Sequence, residues 1–581
     1  MSTRLTTGST VSVEDSSGAT VATGSIGQEH PTQGSPFPHQ YPLDLGPIAA
    51  AGRYTVVVRG TVNARSPSFV VDTSSTLYRP LEQNALRFFA AQHDGTQVAS
   101  GILGRQPSHL NDMRARVFRT PVLKKGQLTL PLVPLPGRPI DVSGGWFDAG
   151  DYLKFVETAS FADVLLLAAA RDAPPPDAAP IAAEARFGTD WLLKMWQPTS
   201  GALAYQVGIG DGVGDRVLGD HDLWRLPERD DHLPAGPNSP TRYVAHRPVF
   251  QETGAISPNI AGRLAAAFGL CSQVARASDP AYADRCLEAG MSVFARARRS
   301  SITSLTTTVP YAYYPEVSWR DDMTLGAVEL ARAVADRPGG RQRAAAYLAK
   351  ARTWTRAQMA APNQDNVDSF NLYEVRWLAD YELGRTTGDA TLKREVTEDL
   401  ERRLNLASQL ARGNAFGFAN PAAPADPVAH ALGYQLMAQW YEALSGSTRY
   451  RLVAARERDW VFGANPWGSS FVVGSGSRFP TCLHHQVANL SGSRNGTSPL
   501  LLGALVDGPN DPASIRGSLG VPDGAHRCPT SGGDLFGRFD STGPFGTAYR
   551  DDVQSAQSSE PSIDINAMAL AIFARAANQS G

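Results

Sequence analysis

The feature that most constrains this chain is a change of hydrophobic period part-way along it. Up to about residue 80, apolar residues alternate in Val11-Ser-Val-Glu-Asp, Thr20-Val-Ala-Thr-Gly, Arg53-Tyr-Thr-Val-Val-Val-Arg-Gly and Ser68-Phe-Val-Val-Asp. Gly, Ser and Pro clusters separate these runs, and a period of two is the mark of half-buried strands. From about residue 85 the period lengthens to 3.6. Ala-rich stretches of that spacing lie near 160–173, 178–197, 253–276, 281–299, 321–336, 340–360, 369–386, 391–411, 427–445, 448–462 and 562–577. A block of strands followed by a block of helices implies separate domains, here a small β-sandwich and a large all-α unit. About eleven helices exceed a four-helix bundle, and no solenoid repeat is evident. A closed ring of helix pairs is the expected alternative.

Composition excludes several function classes. Apolar residues are 42% and charged residues 19% of 581, enough for a sizeable core. A net charge of -2 gives no electrostatic pull toward nucleic acid or an anionic membrane. No run of eighteen apolar residues is present, so no membrane-spanning helix is expected. The four cysteines, Cys271, Cys286, Cys482 and Cys528, match no zinc spacing. Bridges 271–286 and 482–528 are one of three connectivities, with free buried thiols the alternative. The N-terminus lacks a charged region followed by an apolar one; a cytoplasmic location and a removed signal both remain open.

The long loops 101–160, 200–250 and 463–560 are rich in Gly, Trp, Asp and His, and such loops tend to carry chemistry. In the first, Asp141-Val-Ser-Gly-Gly-Trp-Phe-Asp-Ala-Gly-Asp-Tyr-Leu-Lys-Phe155, only Ala-Gly separates Asp148 from Asp151. Small residues between two carboxylates permit a turn that aims both into one space, and their repulsion raises one pKa, which suits a general base. A solvated Asp-Gly turn would not need the flanking aromatics. The third loop carries His484-His485 in a Gly-rich, Pro-marked stretch. Adjacent histidines rarely share one ion, so hydrogen bonding to a polar ligand is expected. Further along the same loop, Tyr549-Arg-Asp-Asp runs on to Glu560-Pro-Ser-Ile-Asp-Ile-Asn-Ala567, where Glu560 alone would read as a helix cap.

Together the three elements resemble family 9 glycoside hydrolases, inverting endoglucanase-type cellulases, and the resemblance covers essentially the whole chain. Its D-x-S-G-G-W-[YF]-D-A-G-D element fits 141–151 throughout. The resemblance implies an (α/α)6-barrel catalytic domain over 83–581 behind an immunoglobulin-like β-sandwich over 1–82. It further implies that this sandwich is truncated at its start. Thr189-Asp-Trp-Leu-Leu-Lys-Met, Gln206-Val-Gly, His221-Asp-Leu-Trp-Arg-Leu-Pro-Glu228 and residues 371–382 are weaker matches. By resemblance Glu560 is the general acid, Asp151 the general base and Asp148 the group that orients the water. His484, Tyr549, Trp224, Trp146, Gln486 and Asp551 would contact sugar. In inverting enzymes the two carboxyl groups stand ~6.5–9.5 Å apart, leaving room for that water. Asp551 and Asp552, with burial, are expected to raise the pKa of Glu560.

The implied activity is hydrolysis of β-1,4 bonds in cellulose, cello-oligosaccharides or mixed-linkage glucan. Gln486 stands where the family usually has Arg, Ala556 where an aromatic is expected, and Ser559 where Asn is usual. Loss of a guanidinium beside the sugar would favour a cationic amino sugar, so an exo-β-glucosaminidase, or a β-glucosidase-type enzyme on soluble oligosaccharides, is the alternative; a non-catalytic glycan-binding protein ranks lower. No cofactor is required for catalysis. A structural calcium ion would fall near Ser318, Asp321, Asp322 and Glu374, whose oxygen ligands suit it, with ordinary surface charge the competing explanation. Residues 101–112 keep His109 but no Cys, so no zinc is expected there. The resemblance also implies a secreted monomer acting on a glucan, with no nucleic-acid or membrane partner.

Overall fold

The computed structural model describes residues 4–5, 8–30, 37–124, 128, 131–362, 368–413, 415–419, 425–516, 520–529 and 547–578. The N-terminal stretch forms β1 (Thr10–Asp15), β2 (Thr20–Ile26), β3 (Leu43–Asp44), β4 (Gly52–Arg59), β5 (Ala64–Arg65) and β6 (Phe69–Val71). They make one antiparallel sheet in the order β3-β2-β1-β4-β5, with β6 also on β4. The register sets Val11 opposite Val58 and Val13 opposite Val56. Val11, Val13, Tyr54, Val57 and Val58 are buried. Val11, Val13, Tyr54 and Val58 share one covered face, and Val57 and Glu14 are buried on the other.

Twelve helices of eleven residues or more follow among the described residues: α1 (Ser74–Ala91), α2 (Val156–Asp172), α3 (Pro175–Met195), α4 (Pro258–Ala275), α5 (Pro280–Arg296), α6 (Arg320–Val334), α7 (Gly340–Met359), α8 (Arg376–Thr386), α9 (Ala390–Arg412), α10 (Pro427–Ser445), α11 (Arg451–Val461) and α12 (Ile563–Ala577). All but α1 correspond to predicted segments, with ends shifted by a few residues. The exception begins at Ser74 behind the N-cap Thr73, which accepts from the Thr76 amide at 3.2 Å. Pro80 lies inside this helix and disguises it in the sequence. Strand therefore gives way to helix at 72–73, and the expected domain boundary at 82/83 falls within α1.

Even-numbered helices pack in sequence, α2 on α4, α4 on α6, α6 on α8, α8 on α10, α10 on α12 and α12 back on α2. Each also packs on an odd-numbered partner: α1 on α12, α3 on α2, α5 on α4, α7 on α6, α9 on α8 and α11 on α10. Burial follows this alternation. Every residue of α4 from Pro258 to Ser272 is buried, as is every residue of α8 from Arg376 to Gly384. On α9 burial is confined to Leu392, Val396, Asp399, Leu400, Leu404, Ala407 and Ala411, a single stripe. A helix covered all round lies inside; a striped one lies outside.

A five-stranded sheet that the sequence signalled only weakly sits beside the helices. It comprises β7 (Val117–Phe118), β8 (Lys154–Phe155), β9 (Trp196–Gln197), β10 (Ala202–Val207) and β11 (Val249–Thr253). β8 directly follows the Asp148–Asp151 turn and pairs with β10 through Gln206 and Val207.

The closest inner crossing is α4 on α6. A Cβ on Gly262 would stand 2.4 Å from the Asp322 carbonyl carbon, and one on Gly326 would stand 2.5 Å from the Gly262 oxygen. Backbone cannot yield as a side-chain tip can. Gly262→Val is expected to cost about 1–3 kcal/mol or more through overpacking. Its thermal melt should fall by several degrees; an unchanged midpoint would contradict this crossing.

Candidate active site

The inner helices all begin at one end of the ring, and a cleft of about 830 Å³ opens there. Asp148 and Asp151 precede α2, Tyr313 and Tyr314 precede α6, Asp368 and Tyr373 precede α8, Asp426 precedes α10, and Glu560 precedes α12; all line it. The positive ends of helix dipoles favour carboxylates. A second cavity of about 700 Å³ lies at the opposite, C-terminal ends, lined by Arg171, Arg385 and Arg575 among others, and holds none of the candidate residues.

The turn from Asp148 to Leu153 is closed by the Asp148 amide donating to the Leu153 carbonyl at 2.9 Å. The Leu153 amide donates to Asp151 Oδ1 at 2.8 Å. Gly150 is required here. A Cβ would stand 2.0 Å from the His484 carbonyl oxygen, and without one the Gly150 amide donates to Glu560 Oε1 at 2.9 Å. The Gln486 amide in turn donates to the Gly150 carbonyl at 2.8 Å. One glycine thus joins all three sequence elements.

Burial, with Asp151 adding repulsion, pushes the Glu560 carboxyl up to about 8, against the Gly150 hydrogen bond. It is protonated at neutral pH. Asp151 Oδ2 meets His221 Nε2 at 2.7 Å, and His221 Nδ1 meets Asp211 Oδ1 at 3.2 Å. Burial would depress the imidazole, but its two carboxylate partners outweigh that and hold it well above its ordinary range. Asp151 therefore faces a cation. Asp148 is 3% exposed and accepts from the Tyr314 hydroxyl at 2.5 Å and from Thr158. Burial, then repulsion from Asp151, drives its pKa well up.

His484 lines the cleft with Trp224, the two rings edge to face at 5.0 Å. Burial lowers the His484 pKa to about 4, so the ring is neutral. Its Nδ1 lies 2.6 Å from the Val553 carbonyl, which fixes the proton there and leaves Nε2 an acceptor. His485 is structural: Nε2 donates to Gln92 Oε1 at 2.9 Å while Nδ1 accepts from the Ala488 amide. Gln486 reaches the cleft, but its amide is tied to Asp220 and Arg225 at 3.2–3.4 Å.

Three expected sugar contacts are corrected. Trp146 is 1% exposed, donates to Glu184 at 2.8 Å and packs on Phe89. Tyr549 has no exposed surface and packs edge-on against Phe471 and Trp467. Both are core, because each lies at a packed junction of loop and helix. Asp551 accepts from the Thr481 amide and hydroxyl and the Cys482 amide at 2.7–3.0 Å, so it shapes the turn before His484. It is not a cleft residue, nor does it act on Glu560, whose shift comes from burial and Asp151.

Sequence reasoning missed the part of His221, although its loop was noted, and missed Tyr314, signalled only by the aromatic run Tyr311-Ala-Tyr-Tyr314. It also missed Asp426, Asp507 and Asp564 on the cleft wall. His430 pairs with Asp368 at 3.1 Å on that side.

Beneath the turn lies a buried ionic cluster. Lys154 Nζ donates to Asp94 at 2.7 Å, Asp112 at 3.2 Å and the carbonyls of Val142 and Gly144 at 3.0 and 2.8 Å. Arg247 joins Asp94 and Asp112; Arg225 joins Asp220 and Asp230. Both nitrogens of His109 are occupied, by Asp94 at 2.8 Å and Asp230 at 2.9 Å. Burial would lower its pKa, but these carboxylates raise it.

At the expected calcium position, Ser318 Oγ donates to Asp321 Oδ1 at 2.6 Å. Asp321 Oδ2 and Glu374 Oε1 are buried without a hydrogen-bond partner. These hard oxygens fit calcium chemistry. Asp322 Oδ2 is likewise buried without a hydrogen-bond partner, while Arg263 Nε binds its Oδ1 at 2.8 Å. Among the described residues no three His, Cys, Asp or Glu side chains converge in metal-binding geometry.

Both cysteine pairs are bridged, Cys271–Cys286 and Cys482–Cys528. No helix among the described residues is long and apolar enough to cross a membrane.

Known proteins resemble the chain as follows. The family model described as "Glycosyl hydrolase family 9" matches residues 78–573. "Endoglucanase 19" of Oryza sativa subsp. japonica is 28% identical over 483 residues, 75% of this chain and 81% of that protein. "Endoglucanase B" of Cellulomonas fimi is 25% identical over 399 residues, 64% of this chain and 35% of its own length. The crystal structure of the family 9 endoglucanase J30 superposes with a TM-score of 0.71 at 22% identity, covering 98% of this chain and 97% of that one. A metagenome-derived family 9 endoglucanase gives 0.71 at 21%, covering 98% and 93%.

The buried, protonated Glu560 carries a stability consequence. A folded pKa near 8 against an ordinary 4.5 means the folded state keeps a proton that the unfolded state releases. That contribution is present below pH 4.5 and lost as pH rises through 8. Glu560→Gln does not titrate, so its stability relative to the native chain should grow between pH 5 and 8, on the order of 3 kcal/mol. Urea unfolding at the two pH values measures it, and a constant difference would contradict the buried acid.

Proposed function

The chain belongs to glycosyl hydrolase family 9, and on that premise we propose that it hydrolyses β-1,4 bonds of β-glucans with inversion, using Glu560 as general acid and Asp151 as general base. The carrying observation is the contrast between two carboxyls of one cleft. Glu560 holds its proton through burial, whereas Asp151 is paired with the cation His221. Environments that push paired carboxyls apart assign acid and base.

In this mechanism Glu560 protonates the leaving oxygen while Asp151 takes a proton from a water on the opposite face of the sugar. Asp148, held by Tyr314 and Thr158, orients that water. Trp224 offers its edge and His484 an acceptor nitrogen to sugar hydroxyls. Endoglucanases among the similar proteins support a glucan substrate. The closed ring of six inner and six outer helices supports an (α/α)6 barrel, and the N-terminal antiparallel sheet supports an immunoglobulin-like domain. Two disulfides favour an oxidising, extracellular setting. A calcium ion held by Ser318, Asp321, Asp322 and Glu374 would have a structural role, supported by a partnerless oxygen on each of the three carboxylates.

A cationic amino sugar is the second reading; the endoglucanase relatives do not favour it, and it draws on the charge of the cleft lining. The described cleft lining carries Asp148, Asp151, Asp368, Asp426, Asp507, Glu560 and Asp564, and no Lys or Arg.

On cello-oligosaccharides, Glu560→Gln should lose about 10³-fold or more in kcat while still binding. Native kcat/KM should fall on the alkaline side with a midpoint near pH 8, as Glu560 ionises. Retention of a tenth of the native turnover would remove Glu560 as the acid. Chitosan oligomers assayed in parallel decide the second reading, which fails if they react below about a hundredth of the cello-oligosaccharide rate.

A further inference from the structure

The wall bearing Trp224 and His484 is built differently from the rest of the cleft. Behind it lies a small apolar cluster separate from the main core, formed by Trp224, Cys482 and Val553 with Ala525 and Cys528 against it. Four chain segments meet there. The Trp224 amide donates to the Asp523 carbonyl at 2.7 Å, and a Cβ on Gly524 would stand 2.2 Å from the Trp224 oxygen. The Val553 amide donates to Cys528 Sγ at 3.3 Å, and the Val553 carbonyl fixes the His484 tautomer. Beside Cys528 the His526 backbone exchanges two hydrogen bonds with the Asn489 side chain, both at 2.8 Å, and Arg494 donates to the Arg527 carbonyl. To these non-covalent contacts the Cys482–Cys528 link, across 46 positions, adds a covalent constraint.

We propose that the Cys482–Cys528 disulfide is a positioning element for the Trp224–His484 wall, so that glucan binding, but not acid–base chemistry, depends on its oxidised state. This rests on the glucan reading. Glu560 and Asp151 take their own hydrogen bonds from Gly150, Leu153 and His221, none of which belongs to the clasp. A dithiol reductant would break the one S–S bond and give two thiols, its own sulfurs supplying two electrons and two protons as they join in a ring disulfide. The other bridge, Cys271–Cys286, ties α4 to α5, and neither cysteine lines the cleft. It is the internal control.

The test is steady-state cleavage of cellotetraose by the full chain, by Cys482→Ser/Cys528→Ser and by Cys271→Ser/Cys286→Ser. The clasp variant should show KM raised at least fivefold with kcat within threefold, while the control variant keeps both. Dithiothreitol should raise KM in the native chain and the control variant but not in the clasp variant, and reoxidation should restore it. If the clasp variant does not fold, the reductant arm alone decides. An unchanged KM on loss of the bridge, or a fall in kcat without a rise in KM, overturns the proposal. If the native chain cleaves no glucan, the functional reading fails, and the clasp is then judged by cellotetraose Kd in calorimetry with and without the bridge.

Discussion

Lys154, without exposed surface, gathers four acceptors around one ammonium and thereby fixes both arms of the loop that carries Asp148 and Asp151. Its two carbonyl partners, Val142 and Gly144, lie on the way in; its own place at the start of β8 fixes the way out. Three cations and His109, whose pKa the carboxylates raise, face Asp94, Asp112, Asp220 and Asp230. A buried cluster tolerates this only when complete. Removing one member strands its partners, at a cost of about 3–5 kcal/mol. Lys154 is one of six lysines in the chain.

The helix ring supplies the second constraint. Because inner and outer helices alternate along the chain, every inner helix starts at the same end, and the loops that enter them converge there. Residues as distant in sequence as Asp148 and Glu560 share a cleft for that reason. The same arrangement sorts charge. Carboxylates collect where helix N-termini point, whereas Arg171, Arg385 and Arg575 line the far end together with Asp172 and Glu382. Helix dipoles thus add to the counter-charge that His221 supplies in the cleft.

Much of this was legible in the sequence. Period-two and period-3.6 patterns depend only on which face is buried, so eleven helices and four of the six N-terminal strands could be placed from spacing alone, while the two-residue β3 and β5 are too short to show a period. The Asp-Ala-Gly-Asp turn marked Asp148 and Asp151, whereas the roles of His484 and Glu560 came from the family resemblance. What failed shared one cause: residue type does not say which side of a loop faces the cleft. Trp146 and Tyr549 suit sugar stacking as well as they suit a core. Asp551 could bind a hydroxyl as readily as it binds the amides of Thr481 and Cys482. His221 becomes meaningful only once its ring is seen between Asp151 and Asp211, a pairing across 70 residues. Helix α1 was hidden by Pro80, whose local preference tertiary packing overrides.

The account rests on two carboxyls placed on opposite faces of the scissile bond, with water between base and sugar. Proton NMR of the first products released from cellotetraose reads that directly. An initial α-anomer, mutarotating later to the equilibrium mixture, is the predicted result. An initial β-anomer would mean a covalent intermediate and would contradict the roles given to Asp151 and Glu560.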